Sequence, residues 1–507
     1  MYPNNSTTPT HCINQTLQTP PFLADSESQI PQSLSSSEDL SRICGTSLFQ
    51  RCKIGQSPIK TDAYQSFYNW LGRLFSCPGI ETALDSSATI ASEPFNPDSE
   101  AYDIQHSIMW KQLLGPNQTQ FTKHSGNLTF GIAPGPKEPS LEEVNWVLRP
   151  IVEHLKVLWD PGLHLSQTHM YPKGRMIFAA ILPFFVDLPA LRHALGFAAP
   201  TANCMCSYCL LEKSQINNLD PQTWPLRNLS DHKHWATQSQ DALNNNSKLK
   251  ILQEHGVRYS VMLELPYWDV IKYHVVDAMH NLLLGMLKWH CQRFWCVSDI
   301  ADEENPKGIS ATEFMDLLAD AAAPLKGLHS NNFTEAETET NEDSGVSLNR
   351  LEFCSNESID DTFSPHLEDG GWGGQILGKA SFGRLKADEW RNLFTIQLPL
   401  TLAVYWSTGG PSAHSLFRNF AHLVSSVNIA LKRSLTSELV RKYRYHNLEY
   451  LKSFLILFPE VTLAPNHHMS IHLSDCLEKF GPSRAWWSFS MERLMGRILK
   501  ASHNNRL

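Results

Sequence analysis

Hydrophobic residues recur along this chain with two different spacings. Tyr64, Phe67, Trp70, Leu71 and Phe75 follow a helical period, so order is expected to begin near Ala63. Ile104–Leu114 predicts a short helix ending at Gly115-Pro116. Ser140 can cap a longer one, with Glu143 three positions on completing a capping box. That helix is expected to run to about Trp159, with Val144, Val147, Leu148, Ile151, Leu155 and Leu158 on one stripe. Between Met176 and Val186, by contrast, almost every residue is apolar. Unbroken hydrophobicity of that length predicts a strand covered on both faces. The run delivers a single carboxylate, Asp187, and breaks at Pro189. Helical patterning resumes at Leu385 and continues, with short breaks, to the end.

Polar stretches divide these segments. Residues 1–62 are rich in Ser, Thr, Pro, Gln and Asn and predict a disordered tail. Residues 63–126 predict a helical segment with a linker, 127–200 the strand-bearing part, and 201–300 a part containing cysteine and histidine. Residues 301–378, acidic and then glycine-rich, lack the apolar residues that would offset their ordering entropy and predict a disordered insertion. Residues 379–507 predict a helical C-terminal part.

Charge changes this picture locally. The chain of 507 residues carries a net −9, which excludes a blanket basic field. From Ala430 onward, however, twelve Lys/Arg face six Asp/Glu, a local +6 that leaves −15 for residues 1–429. A basic end on an acidic body fits either a polyanion-binding surface or a solvated helix face. The 11 cysteines are scattered, and no apolar leader begins the chain, which predicts a reducing, intracellular setting. No run of about 18 apolar residues predicts a membrane span.

Five groups of residues could carry chemistry. Asp187 suits either a helix N-cap or a hard-metal ligand. Cys206-Ser-Tyr-Cys209 is half a zinc site by spacing, or a pair of packed thiols. Cys204, His193, His280, His467, His468 and His472 are candidates for the remaining ligands. Asp277 and His280 lie one helical turn apart, so they can face one site, or the His can simply bond a capping Asp. His467-His468-x-x-x-His472 lacks the glutamate of a zinc protease. Trp486-Trp487, followed by Glu492-Arg493, Arg497 and Lys500, could stack bases and contact phosphates, or pack a core. Arg441, Lys442 and Arg444 add to that basic end and, with Lys432-Arg433, form weak import clusters.

Taken in order, GPKEPS, Leu148-Arg-Pro150, VDLPALRHALGF, CSYC, NNLDPQTWP, LPYWD, VVDAMHNLLLG, GRLKADEWR, PNHHMSIHL and FGPSRAWWSFSMER resemble the landmarks of CACTA-type (En/Spm-like) DNA transposases, especially their fungal branch. The resemblance runs from Ile104 to Leu507. It implies an α/β, ribonuclease H-like core in which two aspartates and a glutamate hold Mg²⁺ or Mn²⁺ for cleavage and strand transfer at transposon ends. It also implies a nuclear protein that binds DNA and forms homo-oligomers. Two metals about 4 Å apart flank a phosphate in such chemistry, one activating the nucleophile and one stabilising the leaving oxygen. Asp187 matches the second acid and Glu492 the late one. Cys206, Cys209 and the Asp277/His280 pair match an insertion characteristic of the group.

One acid is missing. In the family the Asn-Leu-Thr-Phe strand leads to an aspartate in a D-[GW]-F-N-P-F motif and then to two more strands. Here Asn127-Leu-Thr-Phe130 passes through Gly131-Ile-Ala133 directly into the Pro-Gly-Pro-Lys-Glu-Pro loop. No aspartate lies between Asp103 and Asp160. The resemblance therefore implies an incomplete sheet, an Asp187 strand short of neighbours, and a protein unable to cleave DNA. The competing expectation is a non-catalytic DNA- or protein-binding protein built on the zinc insertion and the basic end.

Overall fold

Residues 15–17, 41–43, 49–52, 55–58, 66–124, 127–130, 143–291, 385–407, 410–459 and 461–501 are described by the structure, a computed structural model. In the expected tail, the described residues form two antiparallel pairs. β1 (Gln15–Leu17) pairs with β2 (Ser41–Ile43), and β3 (Phe49–Cys52) with β4 (Gly55–Pro58). The expected insertion at 301–378 lies outside the described residues, as does the Ser140 cap.

The helical periods read from the chain form helices. α1 (Phe67–Ser76) buries Leu71 and Phe75. It is followed by α2 (Ile80–Ser92) and by the short α3 (Ile108–Gln112), whose N-cap Ser107 accepts from the Trp110 amide. After β5 (Asn127–Phe130), α4 (Glu143–Trp159) buries Val144, Leu148, Val152, Leu155 and Leu158. Val147, expected on that stripe, is exposed, and Val152 takes the inward position.

The sheet is small. β6 (Leu163–Leu165) and β7 (Arg175–Ile181) join β5 in the order β5-β7-β6, with β7 central. β5 runs parallel to β7, with Phe130 opposite Ile181, while β6 is antiparallel, with Leu163 opposite Ile177. The central strand thus has neighbours on both sides, contrary to the expectation that it would be left unpaired. It is also shorter than the apolar run. The strand stops at Ile181, and Pro183, with no N–H to offer, follows a cis Leu182-Pro183 bond; beyond it Phe184 makes an isolated parallel bridge to His274. Phe184 and Val186 continue into the core without belonging to a strand. Asp187 is therefore not at a strand's end: it caps α5 (Leu188–Leu195), its Oδ1 accepting the Ala190 amide at 2.8 Å.

Beyond α5 the chain is mostly helical: α6 (Leu229–Asp241), α7 (Asn245–His255), a π-helix at Met279–Leu287, then α8 (Ala387–Asn392) and α9 (Leu398–Ser407). α10 (Pro411–Ala430), α11 (Ser437–Leu457), α12 (Pro465–Phe480) and α13 (Phe489–Ala501) complete it. The fold is a mostly helical protein around a three-stranded mixed sheet. Its largest core joins the π-helix, α8 to α12, Trp486 and Trp487 to the cysteine segment that follows α5. Among the described residues, no helix is long and apolar enough to cross a membrane.

Candidate metal centre

Cys206 and Cys209 lie in an irregular segment held by backbone bonds. Arg227 Nε donates to the Cys206 carbonyl at 2.9 Å, and the Leu210 amide to the Pro225 carbonyl at 2.7 Å. The amides of Tyr208 and Cys209 donate to Cys206 Sγ at 3.3 and 3.4 Å, curling the chain around that sulfur. His468 and His472 stand four residues apart on α12, hence on one face of it. α12 carries this face against the cysteine turn, placing Cys209 Sγ 3.3 Å from His468 Nε2 across 259 positions of sequence.

One donor atom from each of Cys206, Cys209, His468 and His472 lies within 4.8 Å of every other, and all four residues are buried. The surroundings fix the two rings. Tyr208 stacks on His472 with centroids 4.9 Å apart, and Trp224 covers both histidines at 4.5 and 5.3 Å. Asp475 Oδ2 lies 3.7 Å from His472 Nδ1, the carboxylate-behind-histidine arrangement that orients a ligating imidazole. His472 Nε2, on the opposite edge of the ring, has no hydrogen-bond partner.

Electrostatics follow from that proximity. Burial alone would raise the Cys206 thiol, yet the Cys209 hydrogen bond and the charges of His472 and His468 bring it well below the usual thiol range. Burial likewise opposes charge on His472, but Cys206 and Asp475 hold its pKa up at about 9. Cys209 is pushed the other way, by its hydrogen bond to Cys206 and by burial.

The donor set suits a metal ion. Two thiols and two imidazoles around a dry centre match tetrahedral sulfur–nitrogen coordination, whose ligand-to-ligand edges are about 3.3–3.8 Å. The 3.3 Å contact between Cys209 and His468 already has that length.

Of the ligand candidates read from the chain, His468 and His472 join the cysteines and the others do not. Cys204 Sγ donates to the Glu254 carbonyl, and His467 Nδ1 accepts the Ala464 amide at the start of α12. His193 is not part of the group. His280, expected with the cysteines, is bound elsewhere: its Nδ1 meets Asp277 Oδ2 at 2.6 Å and its Nε2 meets Glu492 Oε1 at 3.2 Å. Asp277 is itself buried and accepts the Ser488 amide at 2.8 Å, so its charge is already satisfied locally. The sequence offers His468 and His472 among six candidates for the remaining ligands, but nothing there chooses between them.

Among the described residues, Asp187 and Glu492 share no group of three or more metal-competent side chains. Asp187 serves its N-cap, and Glu492 pairs with His280. Trp486 is 1% exposed and Trp487 7%, which leaves no ring face for a base; both pack in the core. Arg444 is engaged by Asp475 and Glu478, and Lys442 by Glu438. Arg441, Arg493 and Arg497 are exposed, while the side chain of Lys500 lies outside the description.

A buried Cys₂His₂ group in a mostly helical protein is the class of site these residues define. No protein-family model matches the chain, and no curated protein matches it.

Proposed function

We propose that the chain is a transposase-derived, DNA-associating protein that has lost strand cleavage and is held together by one structural zinc. The observation that carries this reading is convergence: two landmarks of the CACTA resemblance, CSYC and PNHHMSIHL, meet at one buried group of metal-competent side chains. Chance motif matches have no reason to meet in space across 259 positions. Zinc is favoured over a hard cation because two thiols and two imidazoles are its ordinary tetrahedral set, whereas Mg²⁺ and Mn²⁺ take oxygen. The three-stranded sheet is read as what remains of a ribonuclease H-like sheet once the segment after Phe130 is gone. A nuclear setting and homo-oligomers follow from the same lineage.

Loss of cleavage follows from the acids. The first is absent, the second caps α5, and the third is turned toward His280. DNA association rests on the basic balance after Ala430.

Metal analysis tests the centre. The purified protein is expected to carry about one zinc per chain, lost in Cys206→Ser/Cys209→Ser and in His468→Ala/His472→Ala. A protein that is folded and cooperative with no bound metal would sink the proposal.

A further inference from the structure

α10 and α11 run antiparallel, and one contact between them joins two imidazoles. The chain turns through residues 431–436, so positions about equally far from that turn face each other. Asn419 Nδ2 donates across the pair to Ser453 Oγ at 2.8 Å and to the Tyr450 carbonyl at 2.9 Å. Nearer the turn, His422 meets His446, with their Nδ1 atoms 3.0 Å apart and their ring centroids 5.1 Å apart. The exposed Tyr445 ring stands edge-on to both, at 5.8 and 5.3 Å. His422 and His446 are each half-buried, so solvent reaches them.

Two imidazole nitrogens this close cannot both carry a proton. Burial lowers the pKa of both rings. For His422 it prevails over the carboxylate of Glu449, with Arg418 adding to it. For His446, brought down to about 4, His422 and Lys442 act in the same direction as burial. Both rings are therefore neutral at neutral pH, and a neutral ring with its proton on Nε2 presents Nδ1 as a bare donor atom. With metal–nitrogen bonds of about 2.0–2.1 Å, two ligand nitrogens lie about 2.9 Å apart at a right angle and about 3.4 Å apart in a tetrahedron. The observed 3.0 Å falls within that range.

We propose that His422 and His446 form a second metal site, a clip between α10 and α11 for a divalent ion that favours imidazole, such as Zn²⁺ or Ni²⁺, completed by water. It is separate from the Cys₂His₂ centre. His446 turns to α10, whereas Tyr443 and Asn447 of the same helix bond Ser470 on α12. Two half-buried imidazoles offer fewer bonds than four buried ligands, so the ion in the clip exchanges with solution while the buried centre keeps its own.

The test uses the full, tag-free chain, dialysed against metal-free buffer, with Zn²⁺ and Ni²⁺ as probes. Calorimetry with Zn²⁺ should show about one further equivalent, and the melting temperature should rise as that site fills. His422→Gln and His446→Gln should each lose the equivalent and the rise. Both should keep the zinc that survives dialysis and the metal-free melting temperature. Should a variant misfold, the wild type still decides by NMR. Substoichiometric Ni²⁺ should broaden the His422 and His446 ring signals ahead of those of the exposed His234. Absence of a further equivalent, uptake unchanged in both variants, or broadening centred on His234 overturns the site. Zinc that survives dialysis is counted apart, so the clip and the Cys₂His₂ reading fail separately.

Discussion

His280 stands between two carboxylates. Its ring is bracketed by a buried carboxylate on one nitrogen and an exposed one on the other, Asp277 and Glu492. Burial would favour the neutral ring, but the two hydrogen-bonded carboxylates outweigh it and lift the pKa to about 10. A raised folded-state pKa means that the charged form stabilises the fold. That contribution is fully present below the unfolded value near 6.5 and fades as pH climbs through about 10. The His280 ring is therefore expected to stay an imidazolium well past neutrality in an NMR titration. Glu492→Gln should lower its pKa and Asp277→Asn should lower it further, since Asp277 is the buried partner. Titration of the wild-type ring near 6.5 would contradict this account.

Elements show how local rules decide the backbone. Gly174 sits between β6 and β7 with φ +80°, and a Cβ there would run into the carbonyl oxygens of Leu165 and Ser166. Gly174→Ala should destabilise the protein by about 1–3 kcal/mol in denaturant unfolding, because both strain and a backbone clash oppose it. Gly72, inside α1, offers the contrast: a Cβ there meets nothing within 4 Å. Gly72→Ala should stabilise by about 0.5–1 kcal/mol through helix propensity. Equal effects at the two positions would refute this assignment of causes.

The same scale explains what the sequence could reveal. α1, α4 and the Asp187 cap depend on neighbours within a few residues, and their periodicity and capping signals are legible. Even there the inward stripe of α4 differs in its middle, with Val152 buried and Val147 exposed, while Val144, Leu148, Leu155 and Leu158 are buried as expected. The apolar run up to Val186 was harder. Unbroken hydrophobicity marks burial but not how far a strand extends: β7 ends at Ile181, and beyond it Phe184 makes only an isolated bridge to His274 while Val186 packs in the core. The metal centre was half legible. The cysteine spacing is local, but its junction with α12 depends on the arrangement of every helix between them.

At the scale of the whole molecule, the proposed loss of cleavage is open to a direct assay. Asp187 and Glu492 are each engaged by a different partner, and no aspartate lies between Asp103 and Asp160. Positioning supplies most of the rate in phosphoryl transfer, so two carboxylates cannot substitute for three. The protein is expected to show no Mg²⁺- or Mn²⁺-dependent nicking of transposon-end DNA above background. Inserting a family D-[GW]-F-N-P-F segment between Phe130 and Pro134 is the comparison arm. Cleavage by the unaltered chain that vanishes in Asp187→Ala would reverse this conclusion.

The centre that joins Cys206 and Cys209 to α12 also has a history in time. A ribosome delivers the cysteines first, and His468 follows Cys209 only after 259 further positions. At ordinary elongation rates that interval lasts on the order of tens of seconds. Throughout it the cysteine pair exists without the imidazoles that complete its set, and Trp224 covers rings that have not been made. Completion of the centre therefore marks the arrival of α12, and a chain interrupted before His468 leaves two soft nucleophiles without their closing partners.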